Sequence, residues 1–228
     1  CSGLDDVIVR KLQAVAEMLS HRGPDNTGFY KDGKLLFAHT RLSIHDLTSH
    51  GNQPMVCAVS GVVISCNGEI YNHKALRSEL IQAGHTFKSN TDVEVIVHMY
   101  EEMGLGFAKR LQGMFAIALW AKRKRRLVLF RDHAGIKPLY YYLDQNQLIF
   151  SSELKGITSS NDMKLDINHE ALVDYFNYTF IPGPKTIFEQ CFKLNPGTVM
   201  TINEDKTIEE NAYWEIPSSG LDDRSETD

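Results

Sequence analysis

The chain has 228 residues, 43% of them hydrophobic and 23% charged, with a formal net charge of −5. That balance suits a folded chain of one large domain or two small ones, and it gives no electrostatic case for nucleic acid. No run approaches the roughly 18 apolar residues of a membrane-crossing helix.

Residue 1 is a cysteine. On a free terminus its thiol would lie beside an α-amine with a pKa of about 8, which can serve as general base for the neighbouring nucleophile. The competing reading is an arbitrary boundary, and Cys1 alone does not decide between them. The other cysteines are Cys57, Cys66 and Cys191. Their wide spacing gives neither a CxxC nor a zinc pattern. A chain of this size needs no disulfide staples, so reduced thiols in a cytoplasm are expected.

Helical periodicity from Asp5 to Ser20, carried by Ile8, Leu12, Val15 and Leu19, predicts a first helix that His21-Arg22-Gly23-Pro24-Asp25 terminates. Strands are expected at Gly28 to Tyr30, Leu35 to Ile44 and Gly61 to Cys66. Residues 73–83 read as a helix. Thr91 to Met103 reads as another, opened by a Thr91–Glu94 capping box. Met114 to Trp120 and Leu127 to Arg131 flank the basic run 122–126 as a hairpin, and that run reads as a solvated tip. Leu139 to Tyr142 and Leu148 to Ser152 form a second strand pair. Glu170 to Tyr178 is a short helix capped by Asn168, Val199 to Ile202 a late strand, and the tail from Ser218 a polar linker. This order argues for an α+β sandwich. Gly104-Leu105-Gly106 follows a helix and lacks a third glycine, so a dinucleotide fold fits poorly.

Several polar residues allow two readings. Asn67-Gly68 is either a turn or a pair of oxyanion donors. Arg41 is a surface cation or a bidentate carboxylate clamp. Glu69 is a solvated acid or an ammonium acceptor, and Asp92 a helix-dipole partner or the same acceptor. His21, Arg22, Asp25 and His39 invite a triad, which a terminal amine would make unnecessary. Arg131 and Asp132 read as a structural pair at a strand end.

Five segments occur in order: His21 to Asp25, His39 to Ile44, Asn67 to Asn72, Thr91 to Glu94, and Arg131 to Tyr141. With Cys1 they resemble the glutaminase domain of class II glutamine amidotransferases, nearest to glutamine-hydrolysing asparagine synthetases. The resemblance runs from Cys1 to about Trp214. It implies the N-terminal nucleophile hydrolase fold, a four-layer α/β/β/α sandwich of two antiparallel sheets. It also implies glutamine hydrolysis through a Cys1 thioester, with the Cys1 amine as base and Asn67 and Gly68 as oxyanion hole. Glutamine would be held by Arg41, Leu42, Ser43, Ile44, Glu69 and Asp92.

By the same resemblance, residues 1–214 form the glutaminase domain and 215–228 a linker towards an absent synthetase domain of the full-length chain. That absent domain would use ATP and Mg to activate the ammonia acceptor, aspartate. No cofactor or metal is expected in residues 1–214. No nucleic-acid or membrane partner is expected, homodimerisation stays open, and a cytoplasmic location follows. A sugar or other metabolite as acceptor, or a non-catalytic binding domain of the same fold, are the alternatives. Two departures stand out. The family's nucleophile begins a short buried apolar strand, whereas Ser2-Gly3-Leu4 and two aspartates follow Cys1. Ser219-Gly220-Leu221-Asp222 also lacks the second glycine and final serine of a synthetase phosphate loop.

Overall fold

A computed structural model describes residues 2–159 and 163–216. In chain order its helices and strands are α1 (Ser2–Met18), β1 (Asn26–Asp32), β2 (Leu35–Arg41), β3 (Met55–Val56), β4 (Val62–Ile70), α2 (His73–Gln82), α3 (Glu94–Met103), β5 (Gly113–Ala121), β6 (Arg126–Arg131), β7 (Tyr140–Leu143), β8 (Leu148–Ser151), α4 (Leu154–Thr158), α5 (His169–Tyr178), β9 (Cys191–Lys193), β10 (Thr198–Asn203) and β11 (Ile208–Ala212). Cys1 and the tail from residue 217 onward lie outside the described residues, so the expected nucleophile and most of the expected linker do too. No described helix is long and apolar enough to cross a membrane.

Six strands form one antiparallel sheet in the order β11-β10-β6-β5-β4-β3. β1-β2 and β8-β7-β9 form two smaller antiparallel sheets against one of its faces. β5 shows why the large sheet is central. Phe115, Ile117, Leu119 and Ala121 point to the core shared with α2 and α3. Ala116, Ala118 and Trp120 point to the core shared with β2 and β8. A strand buried on both faces must be apolar at every position, which this segment nearly is. The outer face of the three-stranded sheet packs on α4 through Tyr142, Ile157 and Cys191, and α1 covers β2. This is the expected α/β/β/α sandwich.

Three local expectations change. The chain is helical from Ser2, so nothing strand-like follows Cys1. Strand β4 runs on to Ile70, pairing Asn67 with Ala116 and Gly68 with Phe115. Asn67-Gly68 is therefore strand and not turn, because β5 offers a pairing partner along its whole length. The capping box is absent. Val93 precedes α3 with no side-chain cap, while the Glu94 carboxylate accepts Lys88 N (2.7 Å), Ser89 N (2.7 Å) and Ser89 Oγ (2.6 Å). Three donors from the preceding loop outcompete the one helical N–H that a capping box would offer. Asn168 does cap α5, its Oδ1 accepting Ala171 N at 2.9 Å. The basic run forms a short turn between β5 and β6, with Arg125 at φ +51°.

One polar clamp joins the end of α1 to α4. His21 Nε2 lies 2.7 Å and Arg22 Nη1 3.0 Å from Glu153 Oε1, and Lys155 Nζ 3.1 Å from Glu153 Oε2. The candidate triad residues His21 and Arg22 thus serve the scaffold. Burial would raise the Glu153 carboxyl, but Arg22, His21 and Lys155 hold it at about 2 against an ordinary 4.5. A depressed carboxyl contributes stability that is complete above the ordinary value and lost as pH falls towards the folded one. Glu153→Gln should cost about 1–2 kcal/mol at pH 7, after allowing for solvent screening, and almost nothing near pH 2. Urea unfolding at both pH values checks this. Phe115 is fully buried, and Phe115→Ala should cost about 3–5 kcal/mol by the same measurement.

Candidate active site

Alternation along β4 separates its two jobs. Val62, Ile64, Cys66 and Ile70 enter the helix-side core, so Ser65, Asn67 and Glu69 face the opposite way. There they line a cleft of about 1020 Å³ between the large sheet and the β2 and β8 layer, walled by α1. The cleft is bounded by Arg41, Leu42, Ile44, Gly68 and Asp92 as well. Residues far apart in the sequence, from Val7 on α1 to Ser152 after β8, converge on it because α1, β2, β4, β8 and the segment before α3 meet around it.

Beyond the short β3, the open edge of β4 is completed by side chains. Gln53 Oε1 accepts Cys66 N at 2.7 Å, and Gln53 Nε2 donates to Cys66 O at 3.2 Å. Asp92 Oδ2 accepts Ile70 N at 2.8 Å. Strand alternation puts the Gly68 N–H on this same edge, between those two anchored amides. The Asn67 amide faces the cleft and donates to Ser152 Oγ at 3.4 Å. A Cβ on Gly68 would stand 2.2 Å from the Met114 carbonyl oxygen and 2.6 Å from Phe115 Cα. Only glycine lets β4 approach β5 there.

Asp92 is buried and precedes α3, so its role is at the strand edge and not in the helix dipole. Glu69 lies at the cleft with Oε1 3.4 Å from His45 Nε2. Arg41 ends β2 and is buried. Its Nη1 donates to Thr48 O (2.9 Å) and Asn52 Oδ1 (2.8 Å), and its Nη2 to His45 O (3.2 Å) and Asp46 O. As folded, the guanidinium organises residues 42–52. Leu42 and Ile44 are exposed at the cleft rim, whereas Ser43 N donates to Asp25 Oδ2 at 2.7 Å on the other side of the loop. Asp46 pins that loop to the segment bearing Asp92. Its carboxylate accepts Asn90 N (2.7 Å) and Thr48 Oγ1 (2.6 Å), and these bonds hold it at about 2.

His39 lies in the cleft with Nδ1 2.9 Å from Ser65 Oγ. Burial, with the Arg41 charge beside it, lowers its pKa to about 4, so it is neutral at pH 7 and a weak base. No carboxylate among the described residues bonds to it, so the triad is not assembled. Cys66 packs into the core, and burial pushes its thiol far above the ordinary range, which removes it as a competing nucleophile. Arg131 and Asp132 do not clasp each other. Arg131 donates to Lys137 O, Leu194 O and Gly135 O, and the buried Asp132 accepts Phe115 N, Ala134 N, Ile136 N and Lys137 N. Both organise the 132–139 loop. Gln53 and Asp46 carried no motif that marks them in the sequence, because the distant bonds each makes, to Cys66 and to Asn90, depend on folding.

A glutamine amidotransferase domain profile matches residues 3–214. A putative glutamine-hydrolyzing asparagine synthetase 2 of Methanocaldococcus jannaschii is 35% identical, covering 93% of this chain and 45% of the relative. The glutamine-hydrolyzing asparagine synthetase 2 of Bacillus subtilis is 45% identical over 72% of this chain and 22% of its own. The chain spans less than half the length of these relatives. The solved glutamine phosphoribosylpyrophosphate amidotransferase of B. subtilis superposes with a TM-score of 0.63 at 16% identity, covering 88% of this chain and 45% of that one, and so shares the fold. With the profile spanning nearly the whole sandwich and its cleft, the chain belongs to the glutamine amidotransferase domain family.

Proposed function

We propose that this domain hydrolyses the side-chain amide of glutamine and supplies ammonia to an ATP- and Mg-dependent asparagine-forming domain of a longer chain. The observation that carries the reading is the pairing of the Asn67 amide with the Gly68 N–H on a strand edge whose neighbouring amides are already anchored. In this reading the Cys1 thiol attacks the amide carbon, with the Cys1 amine taking its proton. The carbonyl oxygen gains charge between Asn67 Nδ2 and Gly68 N–H. That proton passes to the departing nitrogen, ammonia leaves, and water then releases glutamate from the thioester. Donors fixed before the charge develops need no reorganisation, which is why such an arrangement lowers the barrier.

Glu69 and Asp92 supply negative charge for the substrate ammonium. Asp92 can do so while holding Ile70 N, since a carboxylate has lone pairs to spare. Leu42 and Ile44 shape the rim, and the Ser43 main chain holds their loop through Asp25. Arg41 reaches a substrate carboxylate by exchanging one of its loop carbonyl bonds; otherwise it acts by holding the loop. Membership of the family and the named activity of the relatives support this assignment, as does α1, which begins one residue after Cys1 and walls the cleft. Free thiols at Cys57, Cys66 and Cys191 suit the cytoplasm.

Glutamate release from glutamine tests the proposal. Cys1→Ala should abolish it, and Asn67→Ala should lower kcat about 100- to 1,000-fold with a much smaller change in KM. Absence of glutamate from a protein whose Cys1 α-amine is verified free by mass spectrometry would overturn the reading.

A further inference from the structure

On the side of the sandwich away from the cleft, three potential ligands converge. His85 lies in the connection after α2, and His98 and Glu101 are one turn apart on α3. One ligand atom from each lies within 4.8 Å of the others. His98 Nδ1 is 3.1 Å and His85 Nδ1 3.6 Å from Glu101 Oε2. A tetrahedral Zn²⁺ with bonds of about 2.0–2.1 Å has ligand–ligand edges of about 3.4 Å. The two distances bracket that edge.

The surroundings match a metal site in a second, independent way. A metal-binding histidine usually turns its other ring nitrogen to a carboxylate, which fixes the tautomer and raises the ligand's basicity. Here both do. His85 Nε2 lies 2.8 Å from Glu102 Oε1. His98 Nε2 is buried, makes no hydrogen bond, and faces Glu94 Oε1 at 3.9 Å. The remaining oxygen of Glu101 accepts from Cys57 Sγ at 3.1 Å. Glu101 is therefore oriented from the β3–β4 turn, with Oε2 left towards the two imidazoles. Glu94 is held in turn by the 88–89 backbone.

We propose that His85, His98 and Glu101 form a binding site for one divalent cation, best suited to Zn²⁺, with three protein ligands and an open fourth position. Two imidazoles and one carboxylate are a borderline-soft set that favours Zn²⁺ over Mg²⁺ or Ca²⁺. Its place in the fold sets it apart from the glutamine cleft. The ion would fasten the connection after α2 to α3 and leave the glutamine cleft untouched.

The test uses the whole chain, stripped with EDTA and desalted, titrated with Zn²⁺ against a chromogenic chelator and separately with Co²⁺. One equivalent per chain is expected, with the intense visible absorption of tetrahedral Co²⁺ and a Zn²⁺-dependent rise in Tm. His85→Ala and Glu101→Gln should each weaken Zn²⁺ binding at least tenfold and remove the rise in Tm. The metal-free Tm of His85→Ala should stay at the wild-type value, which separates lost binding from misfolding. His169→Ala, on α5, should bind as wild type. Three results would each overturn the proposal: no stoichiometric binding, wild-type affinity in both His85→Ala and Glu101→Gln, or binding lost in Cys1→Ala but kept in His85→Ala. The cluster would then be an imidazole–carboxylate network with no ion.

Discussion

The open edge of β4 is the constraint around which the rest of this molecule is arranged. A strand buried in a sheet must satisfy its backbone on both sides, yet a site that offers an amide N–H to a ligand needs one edge left accessible. β3 covers only the start of that edge. Gln53 then bonds both polar groups of Cys66, and Asp92 takes Ile70 N. Between these anchors the Gly68 amide is held in position by the fixed backbone on either side. The other edge of β4 is paired to β5 from Val62 to Ile70, which makes the whole strand rigid.

Several charged residues in and around the loops near the cleft bond to backbone and not to other charges. Arg41, Asp46, Asp132 and Glu94 each hold several main-chain groups of a loop. A buried ion gains more from several hydrogen bonds in fixed geometry than from one partner whose desolvation must also be offset. The consequence is that these loops are fixed by ions within or beside them, so the cleft's shape depends in part on residues that do not line it. On the opposite side, the His85, His98 and Glu101 group instead joins side chains to side chains.

Much of the scaffold was legible because the relevant periodicities are local. β5 and β6, α2 and α5 stand close to where their apolar patterns and the Asn168 cap put them. The short pieces β3, β9 and β11 were not legible, since two to five residues carry no period and form only against a partner. The start of α1 was misplaced for a related reason: Ser2 to Leu4 have no apolar pattern, and continuity with the helix behind them decides their state. Asn67-Gly68 shows the limit most plainly. The dipeptide has a strong local preference for turns, and tertiary pairing with β5 overrode it.

The sequence by itself determined the sandwich, the family and the residue types around the cleft, because hydrophobic alternation and ordered motifs survive without knowledge of contacts. Only the tertiary structure decided what each polar residue does. It took Asp92 from the helix end to the strand edge, turned Arg41 into the organiser of its loop, separated Arg131 from Asp132, and assembled His85 with α3. A side chain's hydrogen-bond partners are set by which distant backbone reaches it, and that is fixed by packing and not by neighbours in the chain.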